Sequence, residues 1–143
     1  MVNKAKRTGG KWEHDLAEEL TKLIPNSRWV KIPGSGSMGT SLNEPLLTAD
    51  VKGVINNFYK QFKVECKVGY SRSTEGEAKS FTLEKKWLDK IQEEAKGNYS
   101  IPLLAGKFDN VRTGVKHFIV MDINDFAEII SKIIELQEML EDE

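Results

Sequence analysis

The chain has 143 residues and a mass of 16.2 kDa, which is enough for one domain with its own core and too little for two. Hydrophobic residues make up 39% and charged residues 30%, a globular composition that excludes a disordered or collagen-like protein. No apolar stretch is long enough to span a bilayer, and an acidic residue precedes the first apolar stretch, so we expect neither a membrane segment nor a secretory signal. The single cysteine, Cys66, excludes an internal disulfide and fits a reducing compartment.

The net charge of −1 hides an uneven distribution. From Asp122 to Glu143, eight acidic residues accompany Lys132 alone, a net charge of −7, so the preceding 121 residues carry +6. A basic body with an acidic end is compatible with a polyanion partner such as nucleic acid. Ordinary surface lysines and a solvated acidic helix explain these charges equally well, so charge alone leaves both interpretations open.

The N-terminal part of the chain predicts an arm, a helix and a strand. Residues 1–9 are rich in Lys, Gly and Asn and indicate a mobile basic arm. Apolar residues then recur at helical spacing over residues 11–24, and Pro25-Asn26 ends that helix. Residues 28–32 alternate as a short strand, and residues 33–45 form a loop rich in Gly and Ser.

The rest of the chain predicts four strands and two helices. Strands at residues 49–55 and 59–68 are joined by an Asn-Asn turn. A polar loop, a helix, two strands and a helix follow, at residues 69–79, 83–96, 101–105, 115–121 and 122–143. Asn124 is the predicted cap of this last, acidic helix, whose apolar residues we expect to face inward: Phe126, Ile129, Ile130, Ile133, Ile134 and Leu140. The order indicates a single α/β domain over residues 1–143, with a central mixed sheet flanked by helices.

At three places in the predicted helix and strands, polar residues occupy positions where the spacing of neighbouring residues predicts apolar ones. Glu13 shares the buried face of the first helix with Leu16, and a buried carboxylate is costly unless a cation or hydrogen bonds compensate it. Asp50 opens a strand directly after the long loop, where Asp is a poor strand former. Glu65 and Lys67 share the polar face of the following strand. Taken singly, a fraying helix turn, a turn-ending Asp and an exposed strand face explain them.

Taken together, these residues predict a hydrolytic metal site. Asp50, Glu65 and Lys67 meet at one end of the predicted hairpin, and Glu13 reaches them from the helix packed over it. Two or three carboxylates suit Mg²⁺, which prefers carboxylates, waters and substrate phosphate. An adjacent ammonium stabilises an attacking hydroxide or a charged transition state. The set therefore predicts metal-assisted phosphodiester hydrolysis.

The ordered set resembles the PD-(D/E)xK nuclease superfamily and, within it, the archaeal-type Holliday-junction resolvases that some phages carry. The resemblance covers residues 7–108 and rests on a Gly-x-x-x-Glu start at Gly9 and Gly10, a strand entering Gly34-Ser35-Gly36-Ser37, then Ala49-Asp50, Glu65-Cys66-Lys67 and an amphipathic helix. It implies a restriction-endonuclease-like fold with an α-β-β-β-α-β core, to which this chain adds a C-terminal helix. The chain departs from the pattern at Ala49, where the family name has Pro, and at Leu83-Glu84-Lys85-Lys86, where these resolvases often carry Gln.

The resemblance also implies a role for each matching position. Glu13, Asp50 and Glu65 would hold Mg²⁺, or Mn²⁺ as a substitute, together with the backbone carbonyl of Cys66. Lys67 would orient or activate the attacking water, and Ser35 would approach the scissile phosphate. Such resolvases are homodimers that cut symmetric strands of branched double-stranded DNA, which implies the cytoplasm of a prokaryotic or phage-infected cell. The helix around Trp87 and Leu88, or the last helix, is the expected dimer contact.

Basic and loop residues around this set are the predicted phosphate contacts, although solvated surface charge is the plain alternative for each. They are Lys4, Lys6, Arg7, Lys11, Ser37, Arg72, Lys79, Lys85 and Lys86. The sequence Gly34–Gly39 spells G-x-G-x-x-G, but no helix pattern follows it, so we expect no nucleotide cofactor.

Three alternative functions remain open at the level of sequence. The chain could be a PD-(D/E)xK nuclease for other DNA, such as a restriction-like, flap or repair enzyme. It could instead be a non-catalytic DNA-binding accessory protein of recombination. A protein-interaction module acting through the acidic C-terminal helix is the third.

Overall fold

The computed structural model describes residues 4–33, 49–70 and 76–142, with side chains from residue 9 onward. Within these residues the chain forms three helices and five strands. The helices are α1 (Lys4–Leu23), α2 (Lys85–Ala95) and α3 (Ile123–Glu141), and the strands are β1 (Ser27–Lys31), β2 (Val51–Ile55), β3 (Gln61–Gly69), β4 (Ser100–Phe108) and β5 (His117–Val120). The predicted α-β-β-β-α-β-β-α order is confirmed. None of the helices in these ranges has the length and apolar character needed to cross a membrane.

The five strands form one mixed sheet in the order β1-β2-β3-β4-β5. Neighbouring strands pair antiparallel except β3 and β4, which run parallel. A parallel pair needs a crossover connection, and α2 supplies it. The turn between β2 and β3 contains Asn57 at a φ of 66°, a left-handed conformation that asparagine tolerates. The sheet is flanked by helices, as expected for a restriction-endonuclease-like fold.

The hydrophobic core lies between α1 and one face of the sheet. Trp12, Leu16 and Ala17 of α1 are buried against strand residues such as Val64. The indole N–H of Trp12 donates to the backbone carbonyl of Ala105 in β4 at 3.3 Å, which satisfies the one polar group of that fully buried side chain. This packing fixes the position of α1 over the strands that carry the candidate site.

The N-terminal helix is longer than the sequence predicted. α1 begins at Lys4, so residues 4–9 are helical and do not form a separate arm. Lys, Ala and Arg are good helix formers and make up most of this segment, and they extend the helix through two less favourable glycines.

Two predictions about the last helix were wrong. The cap of α3 is Asp122, whose carboxylate accepts the N–H of Asn124 at 2.7 Å, so Asn124 lies inside the helix. The apolar residues were expected to face inward, but only Ile129 of that set packs partly against the core. The others are exposed or half exposed: Phe126, Ile130, Ile133, Ile134 and Leu140. Charged side chains hold α3 to the domain instead, and they turn its apolar residues outward.

Adding one methyl group to the sheet, at Gly53, tests the packing around Trp29. A Cβ added to Gly53 would lie 2.2 Å from the Trp29 ring, which is buried and whose Nε1 donates to Ser27 Oγ at 2.9 Å. We therefore expect Gly53→Ala to lower the free energy of unfolding by about 2 kcal/mol in urea denaturation. Gly9→Ala is the control, because its Cβ would meet nothing within 4 Å and alanine favours a helix. Equal stability of the two variants would contradict this account.

Candidate active site

Asp50 is fixed at the point where β2 enters the sheet. Its backbone N–H donates to the carbonyl of Val64 in β3 at 3.1 Å, and its own carbonyl accepts the N–H of Ile32 at 2.9 Å. Its carboxylate accepts the backbone N–H of Cys66 at 2.8 Å. The regular β2–β3 pairing begins at Val51, so the Asp50 side chain takes the place of the next ladder bond. This explains why an acid opens the strand.

Glu65 and Lys67 lie on the opposite sheet face from the α1 core, beneath α2. Glu65 is only 8% exposed, and its Oε1 lies 3.5 Å from Lys67 Nζ and 3.8 Å from Lys90 Nζ. The Lys67 ammonium also lies 4.7 Å from the centre of the Trp87 ring. Lys67 is thus held between a carboxylate and an aromatic face, both of which attract its positive charge.

Glu13 approaches the same region from α1. Its Oε2 lies 3.3 Å from Lys31 Nζ, and Lys31 also donates to the carbonyl of Gly10 at 3.3 Å. Burial raises the pKa of Glu13, and the negative charges of Asp50 and Glu65 raise it further against the opposing effect of Lys31. The structure therefore couples Glu13 electrostatically to both acids of the hairpin.

The nearby negative charges also raise the pKa values of Glu65 and Cys66. Burial raises the pKa of the Glu65 carboxyl, with Asp50 adding to it and Lys90 and Lys67 opposing it. Burial also raises the pKa of the Cys66 thiol, and all three acids add to that shift. The thiol is therefore kept protonated, which disfavours a role as nucleophile. Three lysines, at positions 31, 67 and 90, lie beside the three carboxylates, yet burial and mutual repulsion keep the pKa values of Glu13 and Glu65 raised.

These carboxylates are ligands of the kind that a divalent cation takes, although they are not assembled around one point. Within the described part of the chain, no group of three or more His, Cys, Asp or Glu residues lies close enough to hold a metal ion. Glu13 is instead paired with Lys31, and Glu65 is paired with Lys67 and Lys90. The donors themselves are hard carboxylate oxygens in an acidic, partly buried setting, which is the chemistry Mg²⁺ requires.

The backbone of Cys66 adds a further donor on the same side. Its N–H points to Asp50, and the carbonyl of a strand residue points to the same neighbouring strand as its N–H. The Cys66 carbonyl thus lies on the β2 side, near the Asp50 carboxylate. Asp50, Glu65 and this carbonyl fit a hard cation, with Glu13 joining them if it leaves Lys31.

The other predicted residues fall into two groups. Those outside the described residues or their described side chains are Ser35, Ser37, Arg72, Lys4, Lys6 and Arg7. The described ones, Lys11, Lys79, Lys85 and Lys86, are exposed and do not join the acidic group. Three of them pair with nearby acids: Lys11 with Asp15 at 3.4 Å, Lys85 with Asp89 at 2.8 Å and Lys86 with Glu84 at 3.2 Å. Exposed pairs of this kind are weak, so they leave the ammonium groups available to a phosphate.

Sequence reasoning missed three residues that contact the site: Lys31, Trp87 and Lys90. Trp87, Lys90 and Ile91 recur at helical spacing, so Lys90 interrupts the apolar stripe of α2 as Glu13 interrupts that of α1. That signal was present and could have identified Lys90. No sequence pattern distinguished Lys31, because a lysine at the end of a short edge strand is common.

Comparison with models of known protein families identifies a family that matches nearly the whole chain. Residues 4–140 match a family described as phage putative PDDEXK endonuclease. The match includes the helix that carries Glu13, the hairpin with Asp50, Glu65 and Lys67, and nearly all of α3. No curated protein matches the chain.

The raised pKa of Glu65 has a measurable consequence for stability. The folded chain binds a proton at Glu65 more tightly than the unfolded chain does, so the carboxylate destabilises the metal-free fold at neutral pH. We expect Glu65→Gln to raise the free energy of unfolding by about 1 kcal/mol at pH 7 in EDTA. This gain should shrink as the pH falls through the raised pKa toward the ordinary value of 4.5.

Urea denaturation across this pH range measures the effect. Glu93→Gln is the matched control, because Glu93 is an exposed carboxylate on the same helix as Lys90. A Glu65→Gln variant less stable than the parent at neutral pH would show that the lysines outweigh burial and repulsion.

Proposed function

The chain belongs to the phage putative PDDEXK endonuclease family, and on that premise we propose that it is a metal-dependent endodeoxyribonuclease that resolves four-way DNA junctions. The observation that carries the proposal is the meeting of Asp50, Glu65 and Lys67 at one end of the β2–β3 hairpin. A non-catalytic binding protein has no use for buried acids that repel phosphate. The grouping therefore favours hydrolysis over binding alone.

Each side chain has a distinct task in this mechanism. Asp50, Glu65 and the Cys66 carbonyl would hold Mg²⁺, or Mn²⁺ as a substitute, and Glu13 would join them on release from Lys31. A divalent cation held by these residues would supply a water of lowered pKa and would neutralise charge on the phosphate. Lys67 orients this water and stabilises the negative charge that builds up on the phosphate, with Trp87 and Glu65 fixing its ammonium.

The bond changes are those of hydrolysis. The water oxygen bonds to phosphorus as the bond from phosphorus to the leaving sugar oxygen breaks, and a proton from the water passes to solvent or to that oxygen. Since nucleotide hydrolysis has no part in these steps, the proposal needs no nucleotide cofactor. The exposed lysines at positions 85 and 86 lie on the helix that covers Lys67, where they would contact the backbone of bound DNA.

Junction DNA is the substrate that the resemblance of residues 7–108 to resolvases supports. Two cuts on symmetric strands require two sites related by a two-fold axis. One chain carries one such site, so the proposed enzyme acts as a homodimer on branched double-stranded DNA.

Cleavage of a labelled four-way junction, beside a linear duplex and a flap of the same sequence, tests this function. We expect paired, symmetric nicks in the junction alone, with Mg²⁺ required and EDTA abolishing them. Equal cutting of all three substrates would contradict junction selectivity while leaving the metal site in place. Tight binding without cutting would instead support the accessory protein considered from the sequence.

Metal binding can be measured without DNA. At Mg²⁺ concentrations near ten times the dissociation constant, we expect the melting temperature of the parent chain to rise by about 3 °C. Asp50→Asn should abolish this rise, because it removes one of the oxygen anions that attract the ion. Asp89→Asn is the matched control, since Asp89 is exposed and paired with Lys85. An unchanged Mg²⁺ response in Asp50→Asn would place the ion elsewhere.

A further inference from the structure

α3 is attached to its own domain by charged and polar side chains. Asp125 accepts from Gln92 Nε2 at 2.8 Å, and both carboxylate oxygens of Glu128 accept from Lys60 Nζ at 3.1 Å. Lys132 lies 5.2 Å from the centre of the Tyr59 ring. These contacts recur three and four residues apart, so they define one stripe of the helix, which faces the domain.

The apolar residues form a second stripe on a different side of the helix and are exposed. The outward stripe consists of Ile123, Phe126, Ile130, Ile133 and Leu140, with exposed fractions of 77, 53, 38, 45 and 69%. Gln137 occupies the one remaining position of a three-four spacing. Surface helices normally turn such a stripe toward the core of their own domain, whereas α3 directs charged and polar side chains to the domain and leaves its apolar stripe exposed.

The exposed area is large enough to mark an interface. The outward stripe and its exposed neighbour Ile134 together expose an area on the order of 600 Å². This is at the upper end of the largest apolar patch on a typical monomer, and two copies together would bury about 1,200 Å², the lower end of stable interfaces. The other helix considered for a dimer contact, α2, has Ile91 and Ala95 buried and Trp87 over Lys67. It therefore offers no comparable surface.

We propose that the outward stripe of α3 docks on the same stripe of a second copy of this chain, with the two helices antiparallel. The spacing of the stripe reads the same in both directions, so a two-fold axis between Ile130 and Ile133 maps it onto itself. Ile130 then meets Ile133 of the partner subunit, and Ile123 meets the partner's Leu140. This arrangement is a short heptad seam of the kind found in helix pairs.

The distribution of acidic residues favours self-association despite the negative charge of α3. Glu128, Glu135 and Asp142 recur every seven residues on the side opposite the outward stripe. In the antiparallel pair they point away from the seam, which limits repulsion between the two copies. Ile134 flanks the seam and is apolar, so it extends the contact, and Glu141 flanks the seam only at the C-terminal end of the helix.

The dimer interface is argued from α3 alone. The proposed function enters only in its consequence, which is that the dimer brings two cutting sites together. Self-association itself is measured on the full chain without DNA or metal. A dimer that fails to cut junctions would overturn the function and keep the interface. A monomer that cuts DNA would overturn the interface and keep the nuclease function.

Light scattering on the full chain at micromolar concentration tests the interface. We expect a particle of twice the 16.2 kDa chain mass for the parent and a monomer for Ile133→Asp. Burying an unpaired charge twice across the two-fold axis should weaken the dimer at least about 100-fold. Ser131→Asp is the control, because it adds the same charge to an exposed position of the same helix outside the stripe. A parent particle of 16.2 kDa would overturn the proposal.

A mixing experiment tests the antiparallel register and guards against a misfolded variant. Ile130→Asp and Ile133→Lys should each be monomeric, because each places a charge opposite an isoleucine of its partner. When mixed, one chain's aspartate meets the other chain's lysine and the second contact remains isoleucine on isoleucine, so dimers should return. Mixed chains that stay monomeric although each is folded by circular dichroism would overturn this register, as would dimers of either variant alone.

Discussion

Asp50 and Glu65 stand where β2 enters the sheet, and burying them together raises the free energy of the folded chain unless positive charge lies close by. Much of the surrounding structure responds to this constraint. Lys67 and Lys90 approach Glu65, Lys31 holds Glu13, and the Cys66 N–H binds Asp50. Burial is the main reason why the pKa values of Glu13 and Glu65 are raised, and repulsion from Asp50 adds to it. Carboxylates buried close together in this way are suited to bind a divalent cation.

The fold brings these groups together from both faces of the sheet. α1 packs over the apolar face through Trp12 and Leu16 and carries Glu13 to the edge of the hairpin. The crossover helix α2 covers the other face and supplies Lys90 and the Trp87 ring. The main hydrophobic core thus lies on the α1 face, whereas on the opposite face β3 carries a row of ionisable residues beside the smaller apolar contact made by Ile91 and Ala95 of α2. The site depends on this division between an apolar and a polar face.

The sequence predicted the order of elements and the acids of the hairpin, because strand alternation fixes which residues share a face. It identified Glu13 by the same logic, as a carboxylate in an apolar stripe. The spacing of apolar residues shows that a helix has an apolar face, but it does not show whether that face or the polar face packs against the domain. The orientation of α3 therefore escaped prediction: the ion pair of Glu128 with Lys60 depends on contacts between distant parts of the chain. Lys31 escaped prediction for the same reason, since only the packing of α1 brings Glu13 to it.

The central claim is that Asp50 and Glu65 take part in cutting DNA. Single-turnover cleavage of a four-way junction at saturating Mg²⁺, with junction binding measured in parallel, tests it most directly. Asp50→Asn and Glu65→Gln should each reduce the cleavage rate at least about 100-fold, because they remove anionic ligands needed in the transition state. Both variants should bind the junction as well as the parent or more tightly, since less negative charge faces the phosphates. Cleavage at the parent rate by either variant would contradict the assignment of the active site.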